Sequence, residues 1–118
     1  GHSGIVILGF GSRVFAALEA AEKLDATVID MRWVKPLDEA VLRQYADAKL
    51  VVTVEEHQRM GGAGSAVGEY FADQRLVVNL LCLGLPDRYE AHAKPEGMLA
   101  RVGLDASGIE AAIEKRLS

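Results

Sequence analysis

Cysteine is almost missing from this chain: Cys82 is the one thiol, set inside an apolar run with no second cysteine to pair with. An internal disulfide is therefore excluded, and a buried structural thiol in a reducing compartment is the expected reading. Long apolar runs are missing as well. None reaches the roughly 20 residues that span a bilayer, and the first residues contain no signal-peptide apolar core. These absences lead us to expect a cytoplasmic setting and no membrane partner. Basic residues are in deficit, 13 against 17 acidic ones, and the net charge of −4 comes without a basic cluster. That argues against nucleic acid or an anionic surface as a partner. Repeats, low-complexity segments and long linkers are also lacking.

What remains is the makeup of one globular domain. A chain of 118 residues has single-domain length and buries roughly two-thirds of its unfolded surface. Half of it is apolar and a quarter charged, the usual balance of a soluble protein. Gly1-His2-Ser3 reads as the remnant of a cleaved tag, which leaves residues 4–118 as the domain.

Apolar runs and helical patterns alternate along the chain. Ile5-Val6-Ile7-Leu8 suits a strand buried on both faces. After the turn Gly9–Ser12, with Ser12 a candidate N-cap, Val14, Leu18, Ala21 and Leu24 recur at helical spacing, and Glu19 and Lys23 pair at i, i+4. A second run, Thr27 to Met31, is stopped by Pro36. Asp38 then caps a helix to about Asp47, with Leu37 and Leu42 as a hydrophobic staple. The third strand is expected over about Leu50 to Val54, a helix from about Gly64 carries Val67, Tyr70 and Phe71, and the fourth run is Leu76 to Leu83. Gly68 inside that helix costs ~1 kcal/mol relative to alanine, so close packing against a neighbouring backbone is expected there. A short helix between Pro95 and Gly103 and a last one from a Ser107–Glu110 capping box to about Leu117 complete the pattern, Ile109, Ala112, Ile113 and Leu117 forming the inner stripe of the last. Strand–helix alternation of this kind predicts an α/β domain: a parallel sheet with helices on both faces and right-handed crossovers.

In such a fold the crevice lies outside the carboxyl ends of the strands. The stretch Glu55 to Ser65 is the richest part of that edge: Glu55, Glu56 and His57 at the strand end, then Gly61, Gly62 and Gly64 before a helix. Glycines let backbone N–H groups approach a partner, and a helix start adds partial positive charge, so the loop can host an anion or a carboxylate. Glu55, Glu56 and His57 are chemically suited to acid/base or metal work. Neighbouring strand residues point to opposite faces, however, so the two carboxylates should not converge on one ion. Gly9-x-Gly11 with Asp30 suggests a dinucleotide fingerprint, but Val14 stands where its third glycine belongs, and Gly62-x-Gly64 with Val67 departs in the same way. Asp30 as a phospho-acceptor lacks the carboxylate cluster its metal requires. Cys82 has no adjacent base. His92 reads as a hydrogen-bonding group, and Arg32, Lys35, Arg59 and Arg88 gather toward the crevice side. No complete catalytic set emerges from the residues.

The motifs Gly9-Phe10-Gly11-Ser12, Asp30-Met31-Arg32-Trp33-Val34-Lys35-Pro36-Leu37-Asp38 and Glu55-Glu56-His57 with Gly61-Gly62-Ala63-Gly64-Ser65 resemble the C-terminal domain of transketolase-type thiamine diphosphate enzymes. Gly84-Leu85-Pro86-Asp87-Arg88-Tyr89 and Gly103-Leu104-Asp105-Ala106 narrow the resemblance to the branch that condenses pyruvate with D-glyceraldehyde 3-phosphate, the first step of non-mevalonate isoprenoid synthesis. Ala93 departs from the glycine the family usually has after the position of His92. The resemblance implies a three-layer α/β/α fold with four parallel strands in the order 2-1-3-4, the family's upstream antiparallel edge strand being absent from this chain. It implies a thiamine diphosphate- and Mg2+-dependent, homodimeric parent transferase whose preceding domains hold the cofactors. This segment would then be a non-catalytic packing domain, with no catalytic, cofactor or metal residue of its own. Arg32, Glu55, His57, Gly61, Gly62, Gly64, Arg88 and His92 are its candidate interdomain or anion-loop contacts. The alternative is a stand-alone nucleotide- or anion-binding module using Gly61 to Ser65.

Overall fold

Branched apolar residues in unbroken succession form a strand that hides both faces, and Ile5–Gly9 (β1) does so along its whole length. In the computed structural model, which describes residues 2–31, 38–58, 62–86 and 105–118, β1 is one of the two central strands. The others are β2 (Thr27–Asp30), β3 (Leu50–Gln58) and β4 (Leu80–Pro86). All pairings are parallel and the order is β2-β1-β3-β4, as the resemblance implies. Four helices lie against the sheet among the described residues: α1 (Val14–Leu24), α2 (Glu39–Gln44), α3 (Ala63–Asp73) and α4 (Ala106–Leu117).

Alternation along the central strands sorts the core into two layers. Ile5, Ile7, Leu50, Val52 and Val54 face Ala17, Ala20 and Ala21 of α1 and Ile109 and Ile113 of α4. Val6, Leu8 and Val51 face Leu42 of α2 and Val67, Tyr70 and Phe71 of α3. Burying each large aliphatic side chain contributes about 1.5–3 kcal/mol. The helices therefore change sides between β1 and β3, which makes the gap between these strands the switch point of the sheet.

Several local expectations change. A 3-10 turn over Gly11–Arg13 precedes α1, so Arg13, not Ser12, takes the N-cap position, and no side chain caps it. The inner stripe of α1 is Ala17, Ala20 and Ala21, small enough to let α4 approach, while Leu18 is half exposed beside an open groove along β2. Lys23 lies 3.8 Å from Glu110 of α4 instead of pairing with Glu19. Asp38 caps α2 as expected, accepting from Val41 N–H at 3.3 Å, but α2 stops at Gln44 and turns follow to Lys49. β3 runs past Val54 to Gln58, and β4 begins at Leu80 instead of Leu76. The cap of α4 is Asp105, which accepts from Gly108 N–H at 2.9 Å, so the helix starts before Ser107. Among the described residues a Cβ on Gly68 would meet only a Leu80 methyl at 3.6 Å, an ordinary contact and not the close backbone packing expected there. The staple residue Leu37, the stop at Pro36 and the Pro95–Gly103 helix lie outside the described residues. Ser3 is tied into the fold, its N–H and hydroxyl both donating to Asp25 O, at 3.1 and 2.9 Å.

Candidate functional site

The switch point brings the turn after β1 against β3. Phe10 N–H donates to Val54 O at 3.0 Å, and Met31 N–H donates to Gly9 O at 2.9 Å, so the turn is held from both flanking strands. Gly9 is required there: a Cβ would stand 2.9 Å from Val14 Cα. Val14, which breaks the dinucleotide fingerprint, thus packs directly on the strand end.

On β3 every second residue faces α3, and Val51, Thr53 and Glu55 follow one another on that side. Glu55 is only 6 % exposed. Its Oε1 accepts from Ala63 N–H at 3.1 Å and its Oε2 from Gly64 N–H at 2.6 Å, so one carboxylate bridges two successive amides in the first turn of α3. Those N–H groups have no partner within the helix, and the helix dipole favours negative charge at this end. The carboxylate is α3's cap in substance, since Gly62 occupies the N-cap position without a side chain. Burial nevertheless pushes the Glu55 pKa above its ordinary value of 4.5, outweighing the opposing bonds from Gly64 and Ala63.

Gly64 is what allows this closeness. A Cβ there would come within 2.9 Å of Glu55 Oε2, 3.0 Å of Thr53 Oγ1 and 3.2 Å of Cys82 Sγ. The Cys82 thiol lies 3.8 Å from Gly64 O, a weak donor on a helix carbonyl. Thr53 Oγ1 is fully buried and has no hydrogen-bond partner among the described residues. Beyond Glu55 the pairing with β4 slips: Val54 stands opposite Leu83, yet His57 opposite Leu85, so β3 carries one extra residue, a bulge at the crevice edge.

The expected site residues therefore divide. Glu55, Gly62 and Gly64 come together at the start of α3, and Glu55 points inward, where its carboxylate is not available as a surface contact. The backbone of His57 lies at the bulge. Arg32, Lys35, Arg59, Gly61, Arg88 and His92 lie outside the described residues. Sequence reasoning missed Thr53, and it read Cys82 as a structural thiol within a strand without placing it beside Gly64. The available signal was the spacing Thr53-x-Glu55, which puts a hydroxyl and a carboxylate on one strand face. No group of three or more His, Cys, Asp or Glu able to hold a metal occurs among the described residues. No helix among them is long and apolar enough to cross a membrane.

This fold, with a carboxylate from the third strand locked onto the following helix, defines a class. A family model described as the C-terminal domain of transketolase matches residues 2–109, and the chain belongs to that family. Within it, the chain is similar to proteins named 1-deoxy-D-xylulose-5-phosphate synthase, the branch that the motifs suggested. Identity is 57% over 118 residues to the protein of Marinomonas sp. (strain MWYL1), covering 100% of this chain and 19% of that protein. It is 58% over 114 residues to that of Pseudomonas aeruginosa (strain LESB58), covering 96% of this chain and 18% of the relative. For Pseudomonas syringae pv. tomato (strain ATCC BAA-871 / DC3000) it is 59% over 116 residues, with coverage of 98% and 18%. The chain thus spans about a fifth of the length of these curated relatives.

Proposed function

We propose that this chain is the packing and assembly domain of a 1-deoxy-D-xylulose-5-phosphate synthase, and that it performs no chemistry itself. The parent enzyme condenses pyruvate with D-glyceraldehyde 3-phosphate, releases carbon dioxide, and uses thiamine diphosphate and Mg2+ held by its preceding domains. The observation that carries this reading is the 57% identity along the whole chain to a synthase of which it covers only 19%. The described residues supply no donor set suited to Mg2+, and the helix start after β3 is taken by Glu55. Neither feature fits the cofactor. The role left to the crevice edge is docking against the cofactor-binding domains or a second subunit.

Two measurements test the proposal. Replacing the matching segment of the Pseudomonas aeruginosa relative by this chain should give a folded chimera that still forms 1-deoxy-D-xylulose 5-phosphate. A folded but inactive chimera counts against it. Calorimetric titration of the isolated chain with thiamine diphosphate and Mg2+ should show no binding, and micromolar affinity would sink the non-catalytic reading. The alternative, a stand-alone anion module on Gly61 to Ser65, has to contend with a helix start that the chain's own carboxylate occupies.

A further inference from the structure

We infer that the start of α3 is an anion site filled from within, Glu55 being its tethered carboxylate, and that removing this side chain opens a pocket for a small free carboxylate. The geometry is that of a bound ligand. Each Glu55 oxygen takes one of two successive amide N–H groups, at 3.1 and 2.6 Å, as an external oxyanion would at a helix start. A helix start alone does not make a site. Here a second feature lies beside it: the Thr53 hydroxyl, fully buried and without a partner among the described residues, is 3.0 Å from the point where a Gly64 Cβ would stand. Glu55 Oε2 is 2.9 Å from that same point. Two N–H donors therefore hold the carboxylate, the Thr53 hydroxyl borders the same space beside Gly64, and Gly64 puts no side chain between them.

The ligand class follows from the atoms. Glu55→Ala deletes Cγ, Cδ and both oxygens, and acetate carries the same set of heavy atoms. A tetrahedral phosphate is bulkier and needs more donors than this pocket shows. In the intact chain a phosphate arriving at α3 meets a carboxylate instead of two free amides. This inference does not rest on the docking reading. It holds or fails for the isolated chain whatever the parent enzyme does.

The test is thermal denaturation of wild type, Glu55→Ala and Glu55→Gln in sodium acetate, in inorganic phosphate and in sodium chloride of matched ionic strength, at neutral pH. A ligand that binds only the folded state raises Tm by mass action. The alanine variant should gain about 4 °C or more at saturating acetate. Wild type and the glutamine variant, whose pockets are filled, should gain no more than in chloride. In the alanine variant the Gly64 amide resonance should also return toward its wild-type position as acetate is added. If the variant is unfolded in chloride, acetate should restore its far-UV circular dichroism. An alanine variant indifferent to acetate, whether folded or not, overturns the inference. So does a wild-type or glutamine chain that acetate or phosphate stabilises as strongly as it does the alanine variant.

Discussion

At the scale of single residues, the crevice edge turns on how a carboxylate and a glycine share one small volume. Gly64 sits where an added methyl would press on Glu55 Oε2, Thr53 Oγ1 and Cys82 Sγ, all within 3.2 Å of its Cβ position. Gly64→Ala should therefore cost about 1–3 kcal/mol despite alanine's better helix propensity, measurable as a lowered urea midpoint at unchanged slope. Glu55 makes a pH prediction. Its folded pKa lies above the ordinary 4.5, with desolvation the leading cause. Between those two values the folded chain binds more protons than the unfolded one, so this contribution falls as pH rises through the interval and is flat above it. Denaturant titrations across pH should show wild type losing ground to Glu55→Gln as pH rises from below 4.5 through the raised folded value. Parallel profiles would contradict the assignment. The sequence marked Glu55 as part of the site and placed Glu55 and Glu56 on different strand faces, but gave it an outward role. Its inward turn depends on how near the end of β3 lies to the start of α3, a long-range distance that local pattern does not carry.

At the scale of elements, the caps show where competing signals were resolved by packing. Asp105 and Ser107 are both good N-cap residues, two positions apart. A start at Ala106 adds the bond from Ile109 N–H to Asp105 O at 2.9 Å and sets Ile109 and Ile113 under the sheet. Asp105→Ala should accordingly cost about 1 kcal/mol, whereas Ser107→Ala, at an exposed position, should stay within about 0.5 kcal/mol, as read from paired melting curves. For α1 the expected stripe held at Ala21 and Leu24 but not at Leu18. Leu18 looked like core, but three alanines do the packing because α4 lies close on that side. The reach of β3 was also underestimated. Polar residues from Glu55 to Gln58 do not read as strand, yet β4 pairs with them through the bulge.

At the scale of the whole molecule, strand order was legible because alternating strands and helices with right-handed crossovers admit few topologies, and the family resemblance selected one. The two core layers followed from alternation in β1 and in the first part of β3, Leu50 to Val54, where all residues but Thr53 and Gly9 are apolar. Leu50 lies at the start of a central strand, fully buried. Leu50→Ala should cost about 2–5 kcal/mol and lower the amide exchange protection of β1 and β3 together, since both strands close the same layer. A loss confined to β3 would show that the sheet does not open as one unit. Finally, among the described residues β2 pairs with β1 alone. On its far flank Thr27 and Val28 line an open groove and meet no further strand among the described residues, so the sheet ends there in a seam that can be sewn to an extended polypeptide arriving from outside. Concentrated solutions of this chain should accordingly grow sideways, strand to strand, unless that seam is closed.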